Sequence, residues 1–333
     1  MSLEKSNLKG VAFALFAFAV YSGHDVVIKF LGENISPFQI LFFSVLLSFP
    51  LVTLMMMRER TQGNLRPVHP GYVAVRTIAG TITGGCAFYA FSVLPLAQVY
   101  AFIFAAPLLI TVLSIPILGE KVGMHRWAAV ALGLIGVLIV LRPGAAPFTL
   151  GHIAGLTAAA GSAIVSVVTR KIGREERSAV LMLYPMMTNV IVMGAILPFV
   201  WVPIELGQFG LLALMSTLGF IGGVCSIAAY RNGDAAIVAP MQYSQIIWGA
   251  LFGLLIFSEV PDRYTLVGAC VIILAGIYVV VRESLGGSKH TPVLETRTQP
   301  RTPSGITISA MLRDRAVRVL PGHEALAKGA EAK

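Results

Sequence analysis

Three ionisable residues, His24, Asp25 and Lys29, stand in a segment from Leu8 to Leu31 that is otherwise almost wholly apolar. Asp25 and Lys29 are four apart, on one face of a helix, where they can pair. An aspartate at the centre of a membrane helix costs roughly 2.5–3.5 kcal/mol on insertion scales, and intramembrane acids mark ion and substrate paths. Two readings stay open: a neutralised pair facing a helix bundle, or an acid that takes up a proton or a substrate cation. Asp25 sits about five residues past the middle of its run, roughly 7–8 Å toward one face. His24 points about 100° away around the helix. It can share in proton handling, with helix packing as the simpler role. Other polar or aromatic groups lie deep in later apolar runs: Gln98, Tyr100 and Phe104, then Asn189, then Gln242, Tyr243, Gln245 and Trp248. Gln242, Gln245 and Trp248 recur every three residues and share a helix face. Buried amides of this kind also join helices to one another.

The elements that must position these residues follow from composition. Of 333 residues, 56% are hydrophobic and 12% charged, with a mean hydropathy of +0.80. A soluble domain of this length needs more polar surface, so an all-α integral membrane protein is expected. Runs long enough to cross the hydrocarbon lie at 8–31, 37–57, 72–93, 95–117, 126–141, 150–169, 179–201, 207–230, 235–257 and 264–281. Ten transmembrane helices are therefore expected, joined by short breaks. The first run is longer than a secretory signal and lacks a small-residue cleavage site, so it is taken as a permanent span. Alternate loops hold most of the basic residues, which places both termini in the cytoplasm. A net charge of +9 then orients the chain in its lipid bilayer, and no nucleic-acid partner is implied. The composition turns polar after Arg282, and residues 283–333 are expected to be a disordered cytoplasmic tail. Within it, residues 306–320 mix apolar and basic side chains in a way that suits the inner leaflet. Cys86, Cys225 and Cys270 lie in apolar runs, where they read as packing residues without a disulfide. No metal-ligand spacing, phosphate-cradling loop or nucleophile constellation is visible. Catalysis, ATP-driven pumping, metals and cofactors are accordingly not expected, and the sequence sets no oligomeric state.

The chain repeats itself. At an offset of 139 residues, Gly84 meets Gly223, Cys86 meets Cys225, Ala90 meets Ala229, Ala97 meets Ala236, Val99 meets Val238 and Glu120 meets Glu259. Each half holds five spans, an odd number, so the halves are expected to enter the membrane from opposite sides as two inverted five-helix repeats. Such repeats belong to transporters that open one midplane site alternately to either side. A non-transporting scaffold is the competing class. In a slightly shifted register, "DVVIKFLG" (25–32) aligns with "SVVTRKIG" (166–173): Lys29 matches Arg170, whereas Asp25 faces Ser166 and is unique to one half. A basic residue near each helix end suits a snorkelling role, as does Arg76. Glu120 and Glu259 precede the fifth and tenth helices, where a carboxylate suits the positive end of the helix dipole. Gly80 and Gly84, and Gly219 with Gly222 and Gly223, are read as close-packing surfaces.

"PLAQVYAFIFAAPLLITVLSIPILGEKVGMHRWAAVALGLIGVLIVLRP" (95–143) and its second copy "DAAIVAPMQYSQIIWGALFGLLIFSEVPDRYTLVGACVIILAGIYVVVR" (234–282) carry a resemblance to the drug/metabolite transporter superfamily, of the kind built from two EamA domains. The second copy departs from the pattern, with Ser258 in place of the glycine and Pro240 six places earlier than Pro107. The resemblance implies one repeat over 8–143 and another over 148–282. It makes the fourth and ninth helices cavity walls, bringing Tyr100, Phe104, Gln245 and Trp248 near one another, with Gln98, Asn189 and Gln242 as further ligands. It also implies a secondary transporter of a small organic metabolite in a bacterial inner membrane. Relatives of this kind move amino acids, S-adenosylmethionine, riboflavin or other metabolites. "SGHDVVIKFLG" looks closer to uptake permeases for cofactor-like compounds, which puts riboflavin first, S-adenosylmethionine next and amino acids last. Asp25, His24 and Lys29 are the residues expected to couple transport to a proton or ion.

Overall fold

The computed structural model describes residues 2–57, 65–119, 122–142, 147–173, 175–176, 178–232 and 238–285. Its elements are α1 (Ser2–Gly32), α2 (Pro37–Met57), α3 (Pro70–Val93), α4 (Leu96–Ile103), α5 (Ala106–Leu118), α6 (Met124–Leu141), α7 (Leu150–Ile172), α8 (Ser178–Val200) and α9 (Leu206–Asn232). A 3₁₀ turn, Ala239–Tyr243, then leads into α10 (Ser244–Phe257), and α11 (Arg263–Leu285) follows. The described residues contain helices and no strand. Seven of their helices, α4 and α5 counted as one, are long and apolar enough to cross a membrane. Two shorter apolar helices, Pro37–Leu51 and Arg263–Val279, accompany them. Most of the expected tail, from residue 286 on, lies outside the described residues, as does Glu120.

The surface confirms the solvent for which the chain is built. Phe16, Ile78, Ile135, Leu138, Ile191, Leu255 and Leu274 are all exposed, while Asp25, Lys29, Arg76, Asn189 and Gln245 are buried. That is the reverse of a water-soluble domain and the pattern expected where lipid replaces water.

The packing crosses between the halves. α1 lies along α9, α3 along α7, and α6 along α11, while α2 packs against α8. Exchanging each helix with its repeat mate leaves this set unchanged, since α1 corresponds to α7 and α3 to α9. Small residues allow the close approach. Gly80 faces Val165 of α7, while its repeat mate Gly219 faces His24 of α1 and Gly222 faces Tyr21. On α6 and α11 a Cβ added at Gly268 would lie 2.6 Å from the Gly136 carbonyl, and one at Gly136 2.9 Å from the Gly268 carbonyl.

The fourth span is broken. α4 ends at Ile103 and α5 begins at Ala106. Pro107, in the first turn of α5, has no N–H to give the Ile103 carbonyl, so the helix cannot run through. The ninth span switches from 3₁₀ to α between Tyr243 and Ser244, which is the same repeat position, although Pro240 and Pro107 do not align. Gly119 closes α5 with φ of +70°, and Ser258 closes α10 with φ of +54° in the same left-handed conformation. Only glycine adopts that region without a Cβ clash, so Ser258 carries strain that its repeat mate does not.

Two thermal-shift outcomes follow from this packing. Ser258→Gly should raise the midpoint in detergent, by the equivalent of about 1 kcal/mol. Gly268→Val should lower it, with an overpacking cost of about 1–3 kcal/mol at the α6–α11 contact. An unchanged midpoint in both would contradict the geometry described.

Candidate functional site

Asp25 is 3% exposed and faces the interior of the bundle. Its Oδ2 accepts a hydrogen bond from the Tyr100 hydroxyl at 2.7 Å, and its Oδ1 lies 2.9 Å from His24 Nδ1. The site thus joins adjacent residues of α1 to α4. Tyr100 is fully buried, edge-on to Phe91 at 5.5 Å and stacked on Phe104 at 6.0 Å. Phe104 in turn meets Tyr243 edge-on at 5.2 Å. Phe104 and Tyr243 are separated by the repeat offset, so the halves touch each other here through equivalent residues at equivalent helix breaks. Glycines let the rings in. A Cβ at Gly249 would run into the Tyr100 ring, and one at Gly276 into the Tyr243 hydroxyl.

The expected Asp25–Lys29 pair is not formed. Lys29 turns to the end of the bundle, where its Nζ lies 2.6 Å from Glu259 Oε1 and donates to the Leu94 carbonyl at 2.7 Å. That carbonyl is available because Gln98 N–H bonds Pro95 O instead. Lys29 therefore neither neutralises Asp25 nor reaches out to headgroups. Glu259 does not cap α11 either. Asp262 does so, its Oδ1 accepting the N–H groups of Tyr264 and Thr265 at 2.9 and 3.0 Å, while Arg142 bonds its Oδ2 at 2.7 Å. Burial of Asp262 acts to raise its pKa, but bonds from Thr265 and Tyr264 and the Arg142 charge outweigh it and leave the carboxyl below its usual range.

Arg76 does not snorkel. It is 3% exposed, donating Nε to Thr169 Oγ1 at 2.6 Å and Nη1 to the Leu181 carbonyl at 2.7 Å. Pro185 lacks the N–H that would otherwise satisfy Leu181, so the arginine repairs a gap in α8.

The amides separate into two groups. Gln98 lies away from the aromatic cluster and contacts His152 of α7 at 3.2 Å. Asn189 donates to the Pro185 carbonyl at 3.0 Å, with Oδ1 buried and unpartnered. The Gln98 contact joins α4 to α7, whereas the Asn189 bond stays within α8. Gln242 is buried on the 3₁₀ turn. Gln245 is fully buried, and both its amide atoms lack partners, as do Trp248 Nε1 and Ser244 Oγ within the same turn of α10. On α1, which packs against α10, His24 Nε2 and Ser22 Oγ are buried and unpartnered as well. Trp248 stacks on Phe252 at 6.2 Å. Buried polar atoms without partners are costly and need a physical reason. Donors and acceptors held ready for a ligand supply one.

Sequence reasoning missed Phe91, Gly249 and Gly276 as members of this cluster. The offset of 139 residues pairs Phe104 with Tyr243. Among the described residues no group of three or more histidine, cysteine or acidic side chains could hold a metal.

Comparison with known proteins bears on what this arrangement serves. The pattern of the EamA-like transporter family matches residues 8–142 and again 149–282. An S-adenosylmethionine uptake transporter of Rickettsia bellii is 25% identical over 280 residues, covering 84% of this chain and 96% of its own. The pseudopaline exporter CntI of Pseudomonas aeruginosa is 26% identical over 273 residues, covering 80% and 94%. A solved crystal structure 18% identical in sequence superposes with a TM-score of 0.57, covering 86% of this chain and 100% of that one, a likeness of fold. With two matches spanning most of its length, the chain belongs to the EamA-like transporter family of the drug/metabolite transporter superfamily and carries two EamA domains.

Proposed function

We propose that the protein is a secondary transporter that moves a small cationic metabolite through a site between its two halves, with S-adenosylmethionine as the best-supported substrate. The observation that carries the reading is the buried Asp25 carboxylate, bonded to Tyr100 where the helix breaks of both halves meet. Discontinuous helices at a repeat interface are where transporters of duplicated architecture bind their substrates. Ten spans, in two inverted repeats over 8–143 and 148–282, fit the exchange-invariant packing and the matching break positions. The loop charges favour cytoplasmic termini in a bacterial inner membrane.

The chemistry of the site favours a cation. A sulfonium or ammonium centre gains from a desolvated carboxylate and from the faces of aromatic rings, here Tyr100, Phe104 and Tyr243. The unpartnered Gln245 amide and Trp248 indole offer hydrogen bonds to a heteroaromatic edge. S-adenosylmethionine has a sulfonium, an ammonium and an adenine ring. Riboflavin has the heteroaromatic edge but no positive centre, so the flavin preference gives way. Similarity to proteins named for S-adenosylmethionine uptake supports the same choice. Asp25 then serves as the anionic ligand and the proton-exchanging group in turn, with His24 beside it. Lys29, Gln98 and Asn189 stand outside the ligand set. Similarity to a pseudopaline exporter favours a second reading, in which the same site works in the outward direction.

Proteoliposomes holding the purified chain should accumulate labelled S-adenosylmethionine saturably under a pH gradient. Asp25→Asn should cut the initial rate at least about tenfold and abolish its response to the gradient. Tyr100→Phe should cost roughly ten- to a hundredfold, the loss of a hydrogen bond to a charged group at ~1.5–3 kcal/mol. No accumulation in either direction by folded protein would reject this substrate. Asp25→Asn with unaltered transport would reject the site.

A further inference from the structure

At one end of the bundle three chain segments meet on a single ion pair. Lys29 Nζ lies 2.6 Å from Glu259 Oε1, and the cation also sits 5.3 Å from the centre of the Phe257 ring. The second carboxylate oxygen of Glu259 accepts the backbone N–H of Leu96 at 3.3 Å, the first residue of α4. Through Lys29 and the Leu94 carbonyl the same cluster holds the α3–α4 junction. The pair therefore fastens two elements of the first half to the α10–α11 connection of the second. Its side chains are 10% and 23% exposed. Salt screens such a pair less than a surface one, while its desolvation penalty makes it breakable once water or a ligand reaches it.

A small cleft of about 40 Å³ adjoins the pair on the Glu259 side, lined by Pro95, Ala97, Gly249, Gly253, Glu259 and Asp262 among others. Gly249 is also the residue against which the Tyr100 ring packs. Cleft, Gly249, Tyr100 and Asp25 thus follow one another from the end of the bundle inward. Leu96, held by Glu259, lies one helical turn before Tyr100 on α4. Releasing that turn frees the segment that carries the ring.

We infer that the Lys29–Glu259 ion pair is the gate at this end of the transporter, and that breaking it opens the cleft into an aqueous way to the Asp25–Tyr100 site. The neighbouring Arg142–Asp262 pair also borders the cleft, through Asp262, but it ties no element of the α3–α4 junction. It joins α6 to the cap of α11, and those two helices remain packed through Gly136 and Gly268. The inference rests on the transport reading for its purpose, but its geometry stands on the ion pair and the cleft.

Thiol accessibility tests it without any substrate. With Cys86, Cys225 and Cys270 replaced by serine, Ala97→Cys places a reporter in the cleft of protein held in lipid nanodiscs, both faces exposed to a membrane-impermeant maleimide. The native pair should keep labelling slow. Glu259→Gln should speed it about tenfold, the factor that ~1.4 kcal/mol of lost closure gives. Lys29→Met, which removes the cation from the other side of the pair, should speed it to a similar extent, and the double variant Lys29→Met with Glu259→Gln should be no faster than either single one, which general unfolding would not do. Labelling that is unchanged in Glu259→Gln, or that rises in the double variant by the product of the two single effects, would overturn the gate. Since no solute flux is read, a failed gate leaves the transport reading intact. A failed transport assay likewise leaves a working gate visible.

Discussion

Lipid offers the backbone no water, so every peptide group that a helix break sets free must be met by the protein itself. Much of the interior polarity answers to that constraint. Pro185 orphans the Leu181 carbonyl, and Arg76 crosses from α3 to bond it. The α3–α4 junction leaves the Leu94 carbonyl to Lys29 and the Leu96 N–H to Glu259. At the end of α8 the side chain of Gln39 bonds both the N–H and the carbonyl of Val202, at 2.9 and 2.8 Å. Charges that look expensive in a membrane segment are thereby turned into ties between helices. Those left over become conspicuous. Asp25 serves no orphaned backbone group, and neither do the amide of Gln245 or the indole of Trp248.

The two ends of the bundle are each fastened across the halves, by different chemistry. At one, Lys29 meets Glu259 and Arg142 meets Asp262. At the other, His69 Nε2 lies 2.6 Å from Glu175 and its backbone N–H bonds Glu176. Between them the aromatic cluster from Phe91 through Tyr100 and Phe104 to Tyr243 fills the interior. Packing of this kind is bistable rather than elastic. Rings that fill the interior in one arrangement can be rearranged only together with the helices that carry them, and the break between α4 and α5 lies beside Phe104.

How much of this was legible beforehand depended on the range of the interaction. Span positions followed from hydropathy, and the repeat from a constant offset, because both are local or periodic properties of the chain. The glycine faces at Gly80, Gly219 and Gly222 followed for the same reason. Partner choice did not. Helical spacing paired Asp25 with Lys29, yet each found a partner far along the chain, a tyrosine 75 positions away on α4 and a glutamate 230 positions away in the α10–α11 connection. Arg76 misled for a related reason: a long side chain near a helix end reads as lipid-facing until its partners on other helices are known. Asp262 as the cap of α11 was readable from its place immediately before the helix. The more prominent glutamate of the repeated motif drew attention from it.

The contact between Phe104 and Tyr243 has a further meaning. A residue that touches its own repeat mate lies on a local two-fold axis, as do the residues at the centre of any isologous dimer. Two identical copies of one repeat unit related by such an axis would meet through this position with the same side chain on both faces. A single chain leaves the two faces free to differ. One carries a phenyl ring and the other a hydroxyl as well, and Asp25 has Ser166 at the matching position. The asymmetry that gives the site a polarity is one that a homodimer could not have encoded.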